Sequence, residues 1–348
     1  MTSSERSPQN PPIRVVVVED SIVERDALVR ALQGDGDIEV VGVARGATEA
    51  IGLVRSQQPD LVTLDVQLAD GGGLGVIEQV MAFTPTPILV LSSAVTGPDS
   101  RAAVDALVAG AVEAWPKPES WDAGNAKRLR DRVRILRGVT VVRHVRGRLR
   151  KGAERPASAP PAASPAVPVV GIASSTGGPA ALATVLAGLG GLRAAVLVVQ
   201  HLHPDFVDGF VQWMARVAAL PVELATDGAR VRAGVAYIAP GGAHLVLGHG
   251  DRLALRSEPE TLHRPSADVL FQSLAERPRG TRVGVLLTGI GSDGAAGLLE
   301  LRRRGGITIA QDGATSAVYR MPAAAERLGA VQHQVALERV AATIARST

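Results

Sequence analysis

The chain has 348 residues, of which 46% are hydrophobic and 20% charged, and its formal net charge is +3. This length predicts two domains, each large enough to bury its own core, and with aromatic residues at only 3% those cores must be built from Val, Leu, Ile and Ala. The lack of cysteine excludes disulfides and thiolate metal sites. The sequence shows neither a signal-peptide core nor an apolar run of the ~20 residues that span a bilayer. We therefore predict a cytoplasmic protein without membrane insertion.

Strand and helix signals alternate from the amino terminus onward. Val15–Val18 is a continuous apolar run, which is typical of a strand buried on both faces, and Ser21 is placed to cap the helix that follows. Five strand–helix pairs predict a doubly wound parallel sheet for a first domain at residues 12–140. The further strands of this domain are predicted at 39–43, 61–64, 88–91 and 112–114.

Residues 141–167 are predicted to be an interdomain linker. The segment 146–168 has neither a helical nor a strand period and is rich in Pro, Ala and charge. Basic residues gather in Arg143–Arg155, which favours a solvated linker; a patch for an anionic partner is the alternative. Since no aromatic side chains are interleaved for base stacking, we predict no nucleic-acid partner.

The second domain, predicted at residues 168–348, shows the same alternation and predicts a second α/β fold with a mainly parallel, Rossmann-like sheet. Strands are predicted at 169–172, 196–199 and 283–287. Its middle differs, because Val235–Ile238, His244–Leu247 and Leu253–Leu255 are short and separated by glycines. We therefore predict an antiparallel excursion there.

Charged and hydroxyl side chains follow the strands of the first domain. Glu19 and Asp20 come directly after the first strand and Asp65 after the third, so three carboxylates should crowd one pocket at the carboxyl ends of the strands. Because like charges repel, a hard cation such as Mg²⁺ would stabilise them. Ser92 and Lys117, after the fourth and fifth strands, could hold the oxygens of a phosphoryl group.

This constellation resembles the receiver domain of response regulators over residues 14–137. The resemblance implies that Asp65 accepts a phosphoryl group from a histidine kinase, that Ser92 is the switch hydroxyl and that Lys117 is the phosphate-binding ammonium. The loop Val66–Gly72 departs from the family pattern by lacking Met-Pro and carrying an extra glycine, which bears on the rate and lifetime of phosphorylation. The Mg²⁺ ligands implied are Glu19, Asp20, Asp65 and the backbone carbonyl of Gln67.

Three residues at strand ends of the second domain suggest a serine hydrolase. Ser175 lies on a tight Ser-Thr-Gly-Gly turn before a helix that should begin near Pro179, His201 follows the next strand, and Asp293 precedes a later helix. A hydroxyl needs an adjacent base, and the base needs an orienting carboxylate. Each residue also has a structural interpretation: a serine turn, a capping histidine and a capping aspartate. His203 is a rival base.

The motifs of this domain resemble the chemotaxis protein-glutamate methylesterases, the CheB family, over residues 169–346. The resemblance implies that Ser175 is the nucleophile, His201 the general base and Asp293 the orienting carboxylate, with Thr176 and the backbone N–H of Ile290 as oxyanion or positioning groups. It implies no cofactor for the esterase. The matching runs are ASSTGG at 173–178, QHLHP at 200–204, APGGAH at 239–244, HRPSADVLF at 263–271 and LTGIGSDGA at 287–295.

By this resemblance the reaction is hydrolysis of γ-glutamyl methyl esters on methyl-accepting chemotaxis receptors, with release of methanol, and deamidation of receptor glutamine by the same acyl chemistry. We expect the receiver to restrict the esterase until Asp65 is phosphorylated. Two alternatives stay open: a hydrolase of this fold that acts on receptors of an accessory signalling pathway, and a response regulator whose second domain only binds partners.

Overall fold

The structure of the protein, a computed structural model, describes residues 11–92, 98–139, 167–277 and 279–348. Within these ranges the chain forms two compact units. The predicted linker up to residue 166, including the basic stretch Arg143–Arg155, lies outside the described residues. In the described part of the chain, no helix has both the length and the apolar character that crossing a bilayer requires.

The amino-terminal unit is built on a five-stranded sheet in the order β2-β1-β3-β4-β5, and every described strand pair is parallel. This confirms the predicted doubly wound sheet. Its strands are β1 (Ile13–Val18), β2 (Ile38–Ala44), β3 (Leu61–Asp65), β4 (Ile88–Ser92) and β5 (Glu113–Pro116). The helices that alternate with them are α1 (Ile22–Gln33), α2 (Ala47–Gln57), α3 (Gly73–Phe83), α4 (Pro98–Ala109) and α5 (Ala123–Leu136).

The buried strand β1 and the helix cap after it explain why acidic side chains lie at the carboxyl end of this strand. Val15–Val18 are at most 1% exposed, as expected of a central strand covered on both faces. Ser21 caps α1 by accepting the N–H of Glu24, as its position predicts. The chain therefore leaves the buried β1 and enters α1 within three residues, and Glu19 and Asp20 lie at that crossing.

The second unit is built on a seven-stranded sheet in the order β14-β13-β12-β6-β7-β9-β8, again with parallel described pairs. Its strands are β6 (Val169–Ser174), β7 (Ala195–Gln200), β8 (Val222–Leu224), β9 (Ala236–Ile238), β12 (Arg282–Leu286), β13 (Ile307–Gln311) and β14 (His333–Val335), and a separate hairpin consists of β10 (His244–Gly248) and β11 (Arg252–Arg256). The helices are α6 (Gly178–Ala187), α7 (Val207–Val217), α8 (Ala267–Glu276), α9 (Ala295–Arg303), α10 (Met321–Arg327) and α11 (Leu337–Ser347).

The antiparallel excursion is confirmed for the hairpin β10–β11, where His244 pairs with Arg256. The prediction was wrong for residues 235–238. Of these, residues 236–238 form β9, which pairs parallel with both β7 and β8 in the main sheet. The physical reason is burial: Tyr237 is 2% exposed and Ile238 is 1% exposed, and main-sheet pairing satisfies their backbone groups while it covers both faces of the strand.

Candidate functional site

The candidate catalytic residues meet where the strand order of the second sheet reverses. From β6 the chain moves to β7 on one side, whereas β12 pairs with β6 on the other. Ligands of open α/β sheets bind outside the carboxyl ends of the strands at such a point. The segments that follow β6, β7 and β12 carry Ser175, His201 and Asp293, respectively.

Two neighbouring serines at the end of β6 have different environments. Ser174 is fully buried, and its hydroxyl donates to Gln200 Oε1 over 2.6 Å. Ser175 is half-buried and starts the turn into α6, because its carbonyl accepts the N–H of Gly178. The Gln200 side-chain amide also donates to the Ser175 carbonyl, over 2.9 Å. The turn is thus held by a buried glutamine, while the Ser175 side chain remains accessible.

His201 leaves β7 beside this turn, because its N–H donates to the carbonyl of Ser174 over 3.0 Å. Its ring lies 2.9 Å, through Nε2, from Asp293 Oδ2. The other ring nitrogen, Nδ1, is buried and has no hydrogen-bond partner within the described residues. On one face the ring stacks on His263, with centroids 4.2 Å apart and an interplanar angle of 18°. His201 is therefore fixed by neighbours and keeps one ring nitrogen for chemistry.

Asp293 does not cap its own helix: the N-cap of α9 is Gly294, and no side chain caps it. The carboxylate lies instead at the amino-terminal end of α8. Oδ2 accepts the N–H of Ala267 over 2.7 Å, while Oδ1 accepts the N–H of Asp268 over 3.0 Å and the hydroxyl of Ser266 over 2.8 Å.

The pKa of Asp293 follows from these contacts. Burial opposes the charged form and acts to raise the pKa. The bond and charge of His201, followed by the two N–H donors of α8, outweigh burial and hold the pKa well below its usual range. The group beside His201 is therefore a carboxylate, which favours an adjacent imidazolium.

The loop after β12 packs directly on the serine turn. The Ser175 N–H donates to the carbonyl of Thr288 over 3.0 Å, and Thr288 Oγ1 donates to the carbonyl of Thr176 over the same distance. A Cβ added to Gly289 would lie 2.8 Å from the Cβ of Ser175, so this backbone approaches closely because it lacks a side chain. Ile290 follows at once, which brings both predicted oxyanion residues to the edge of the same turn.

Two other histidines of this unit, His203 and His244, have structural partners. His203, the rival base, contacts Asp205 through Nδ1 over 2.9 Å, and its side chain is 41% exposed. His244 is fully buried and contacts the carbonyl of Pro259 through Nε2. Sequence reasoning missed Ser266 and the side-chain role of Gln200. Both lie inside quoted motifs, but their contacts with distant segments leave no periodic signal.

The acidic pocket of the first unit forms at the carboxyl ends of β1, β3 and β5. Lys117 Nζ contacts Glu19 over 2.6 Å, Glu24 over 2.6 Å and Asp65 over 2.5 Å. Burial alone acts to lower the pKa of Lys117, but hydrogen bonds to the three carboxylates outweigh it and raise the pKa above the usual value. Glu24 was not predicted here, because its place on α1 gives no sign that it turns toward the pocket.

These carboxylates suit a hard divalent cation. Glu19, Glu24 and Asp65 each offer an oxygen, and the three oxygens lie within 4.8 Å of one another. Burial raises the pKa of Glu19 above its ordinary value, although Lys117 acts in the opposite direction. A charge that is desolvated in this way is stabilised by a cation, and clustered carboxylate oxygens are the donors that Mg²⁺ prefers.

The other predicted metal ligands have partners in the loop after β3. Asp20 Oδ2 accepts the N–H of Ala69, and Asp65 Oδ1 accepts the N–H of Gln67, each over 2.8 Å. Asp20 does not belong to the close carboxylate group of the described residues. Ser92, at the end of β4, is fully buried, and its carbonyl accepts the N–H of Lys117. Its hydroxyl has no hydrogen-bond partner among the described residues. Phosphate oxygens could bind this hydroxyl.

The unusual loop Val66–Gly72 is tightly anchored. Asp70 accepts the N–H of Ala47, the first residue of α2, over 2.8 Å and that of Gly72 over 3.0 Å. These bonds lower the pKa of Asp70. Gly72 needs to lack a side chain, since an added Cβ would lie 2.4 Å from the Cβ of Ala47. The glycine at position 72 therefore permits a compact loop that ties the end of β3 to α2.

The two folds and the two sites define a class of protein: a response regulator that joins a receiver to a second α/β domain with a serine-hydrolase arrangement. In comparisons with known proteins, the response regulator receiver domain family matches residues 15–127, and the CheB methylesterase family matches residues 170–344. The chain belongs to the CheB methylesterase family. This confirms the predicted family, and with it the class of carboxylic-ester hydrolase.

Similar proteins cover nearly the whole chain. A protein-glutamate methylesterase/protein-glutamine glutaminase of Anaeromyxobacter dehalogenans is 42% identical, over 94% of this chain and 95% of its own. One of Agrobacterium fabrum is 38% identical, over 96% of each chain. The crystal structure of the Thermotoga maritima CheB methylesterase catalytic domain is 30% identical with a TM-score of 0.51, covering 53% of this chain and all of that one. A non-catalytic second domain is not favoured by these likenesses.

Proposed function

We propose that this chain is a phosphorylation-regulated methylesterase that hydrolyses γ-glutamyl methyl esters on methyl-accepting chemoreceptors and also deamidates receptor glutamine. The observation that carries the proposal is the bond between His201 Nε2 and Asp293 Oδ2, beside the accessible Ser175, in a chain of this family. The cytoplasmic location and the domain limits at 12–140, 141–167 and 168–348 belong to the same proposal.

Ser175 is the proposed nucleophile and His201 its base. Because Nε2 of His201 faces Asp293, the unpartnered Nδ1 is the nitrogen that takes the Ser175 proton. The Ser175 Oγ attacks the ester carbonyl, and the proton on Nδ1 passes to the departing methoxide, which leaves as methanol. Water then attacks the acyl-enzyme, His201 takes its proton and returns it to Ser175, and the glutamate carboxylate is released. With a glutamine substrate, ammonia leaves in place of methanol.

The proposed oxyanion or positioning groups are those that the family resemblance implies, Thr176 and the backbone N–H of Ile290. They border the serine turn from its two sides: Thr176 directly follows Ser175, and Ile290 lies in the loop whose Thr288 carbonyl accepts the Ser175 N–H. Preorganised donors of this kind stabilise the tetrahedral intermediate of acyl transfer.

Regulation is proposed to begin at Asp65, which accepts a phosphoryl group from a histidine kinase. Glu19 and Asp65, together with Asp20 and the Gln67 carbonyl, are the proposed ligands of Mg²⁺, which when bound neutralises the phosphoryl oxygens. A phosphoryl group on Asp65 competes for Lys117, which now contacts three carboxylates. The buried Ser92 hydroxyl is the second proposed phosphate contact, and its movement biases the activity of the esterase.

The test measures methanol release from methylated receptor membranes. Ser175→Ala and His201→Ala are expected to lose release, whereas His203→Ala retains it because that ring pairs with Asp205 at an exposed position. A phosphodonor should stimulate the unmodified protein but not Asp65→Asn. Undiminished release by Ser175→Ala would refute the catalytic assignment, and normal stimulation of Asp65→Asn would refute the regulatory one.

A further inference from the structure

The carboxylate of the proposed triad is held by a helix that no triad residue belongs to. Ser266 is the N-cap of α8, is 1% exposed and donates its hydroxyl to Asp293 Oδ1 over 2.8 Å. The same hydroxyl oxygen accepts the N–H of Val269 at 3.4 Å, as N-cap serines do. One buried side chain thus joins the start of α8 to the carboxylate beside His201.

Ser266 is itself fixed from the opposite side. Its N–H donates to Nδ1 of the fully buried His244 over 3.1 Å, and His244 Nε2 donates to the carbonyl of Pro259 over 2.9 Å. These two bonds require the His244 tautomer with its proton on Nε2, since Nδ1 is the acceptor. The backbone of Ser266 is therefore held in place by a buried ring as well as by its own helix.

The two oxygens of Asp293 have different partners. Oδ2 accepts from His201 and from the N–H of Ala267, whereas Oδ1 accepts from Ser266 and from the N–H of Asp268. A carboxylate with donors on both oxygens resists rotation, so Oδ2 stays directed at His201.

From this geometry we infer that Ser266 is a positioning residue of the hydrolase, which acts through Asp293 to orient His201. The inference rests on the proposed Ser175–His201–Asp293 triad. The nearby carboxyl of Asp268 increases the need for the Ser266 hydroxyl beside Asp293. Burial raises the pKa of this second carboxyl, and the charge of Asp293 raises it further, so the two groups repel when both are ionised. The Ser266 donor offsets that repulsion on Oδ1.

Three variants separate orientation from helix capping. Ser266→Ala removes both the cap and the donor to Asp293. Ser266→Gly also removes the donor, but glycine is only slightly poorer than serine as an N-cap. Ser266→Thr keeps the hydroxyl for both roles.

We expect both Ser266→Ala and Ser266→Gly to reduce kcat for methanol release about tenfold with KM unchanged, which is about 1.4 kcal/mol of transition-state stabilisation. The melting temperature should fall more for Ser266→Ala than for Ser266→Gly, and Ser266→Thr should retain most of the activity. Activity that followed the melting temperature, with Ser266→Gly close to the unmodified protein, would overturn the inference.

Measurements in an Asp293→Asn variant distinguish failure of the positioning role of Ser266 from failure of the proposed triad. If Ser266 acts through Asp293, Ser266→Ala should cause no further tenfold loss in that background, measured at high enzyme concentration; a second full loss would overturn the inference alone. Asp293→Asn with normal activity would instead refute the proposed triad. If Asp293→Asn is inactive while Ser266→Ala is fully active, the triad stands and the positioning role fails.

Discussion

Gly289 offers a test of the active-site geometry that removes no catalytic group. An alanine Cβ at this position would lie 2.8 Å from the Cβ of Ser175 and would also collide with the sulfur of the fully buried Met321. Ordinary carbon contacts are about 3.5–4.0 Å, so Ser175 must move by roughly 1 Å. A displacement of that size at a reacting atom can lower the rate about 10²-fold.

We therefore expect Gly289→Ala to lower kcat/KM for methanol release about 100-fold. Overpacking of this kind costs about 1–3 kcal/mol, so the variant should still fold at 25 °C, which circular dichroism checks. The rate of labelling of Ser175 by a serine-directed fluorophosphonate should fall in parallel, because the probe needs the same nucleophile.

Two glycines provide matched controls for this substitution. An added Cβ at Gly190 meets only Ala219, at an ordinary 3.4 Å. Gly291 lies in the same loop as Gly289, at φ +92°, with nothing within 4 Å of an added Cβ, so alanine there strains the loop without touching Ser175. Gly190→Ala should be fully active, and Gly291→Ala should lose less activity than Gly289→Ala. A folded Gly289→Ala protein with normal kcat/KM would refute the proposed contact between this loop and the nucleophile.

Two further predictions concern carboxylates. Asp293→Asn should lower kcat about 10⁴-fold, because an amide cannot hold the imidazolium as a carboxylate does. Since the folded pKa of Asp293 is depressed, its contribution to stability is fully present above the unfolded value near 3.9 and is lost as the pH falls toward the folded value, so acid unfolding of Asp293→Asn should lack that component. Asp70→Ala should lower the denaturation midpoint of the receiver near neutral pH, because it removes the carboxylate that accepts the N–H of Ala47 at the start of α2. The difference from the unmodified protein should shrink as the pH falls below about 4, because the depressed pKa of Asp70 means that its stabilising contribution is lost on protonation. Equal acid profiles in either pair would contradict these assignments.

The parts of the fold that follow from local pattern were predictable. The continuous apolar run Val15–Val18 and the cap at Ser21 depend on neighbours in sequence, and both were correct. The edge strands β8 and β14 were missed because three-residue segments that are half-buried or exposed carry no clear alternation. At β9 the strand itself was predicted but its pairing was wrong, because a short apolar segment between glycines does not reveal which strand it pairs with.

The candidate site residues also fall into a predictable group and a group that the sequence does not reveal. Residues at strand ends could be placed because the carboxyl ends of parallel strands share one edge of the sheet, as for Asp65 and Ser175. Ser266 caps a helix and Glu24 lies on one, and each reaches its site through a side chain. The hydroxyl of Ser266 contacts Asp293, 27 residues away in sequence, and the carboxylate of Glu24 contacts Lys117, 93 residues away. Such contacts depend on how the helices dock, which no spacing in the sequence encodes.

The separation of 92 residues between His201 and Asp293 has a consequence for biosynthesis. During translation, the proposed nucleophile and its proposed base are synthesised long before the carboxylate. Pairing of β12 with β6 requires closure of a long loop, which is a slow, non-local step of folding. A nascent or half-folded chain therefore carries an unoriented histidine next to a weakly nucleophilic serine. Hydrolytic activity begins only when the last third of the polypeptide has joined the sheet, so refolding should restore activity together with the β6–β12 pairing.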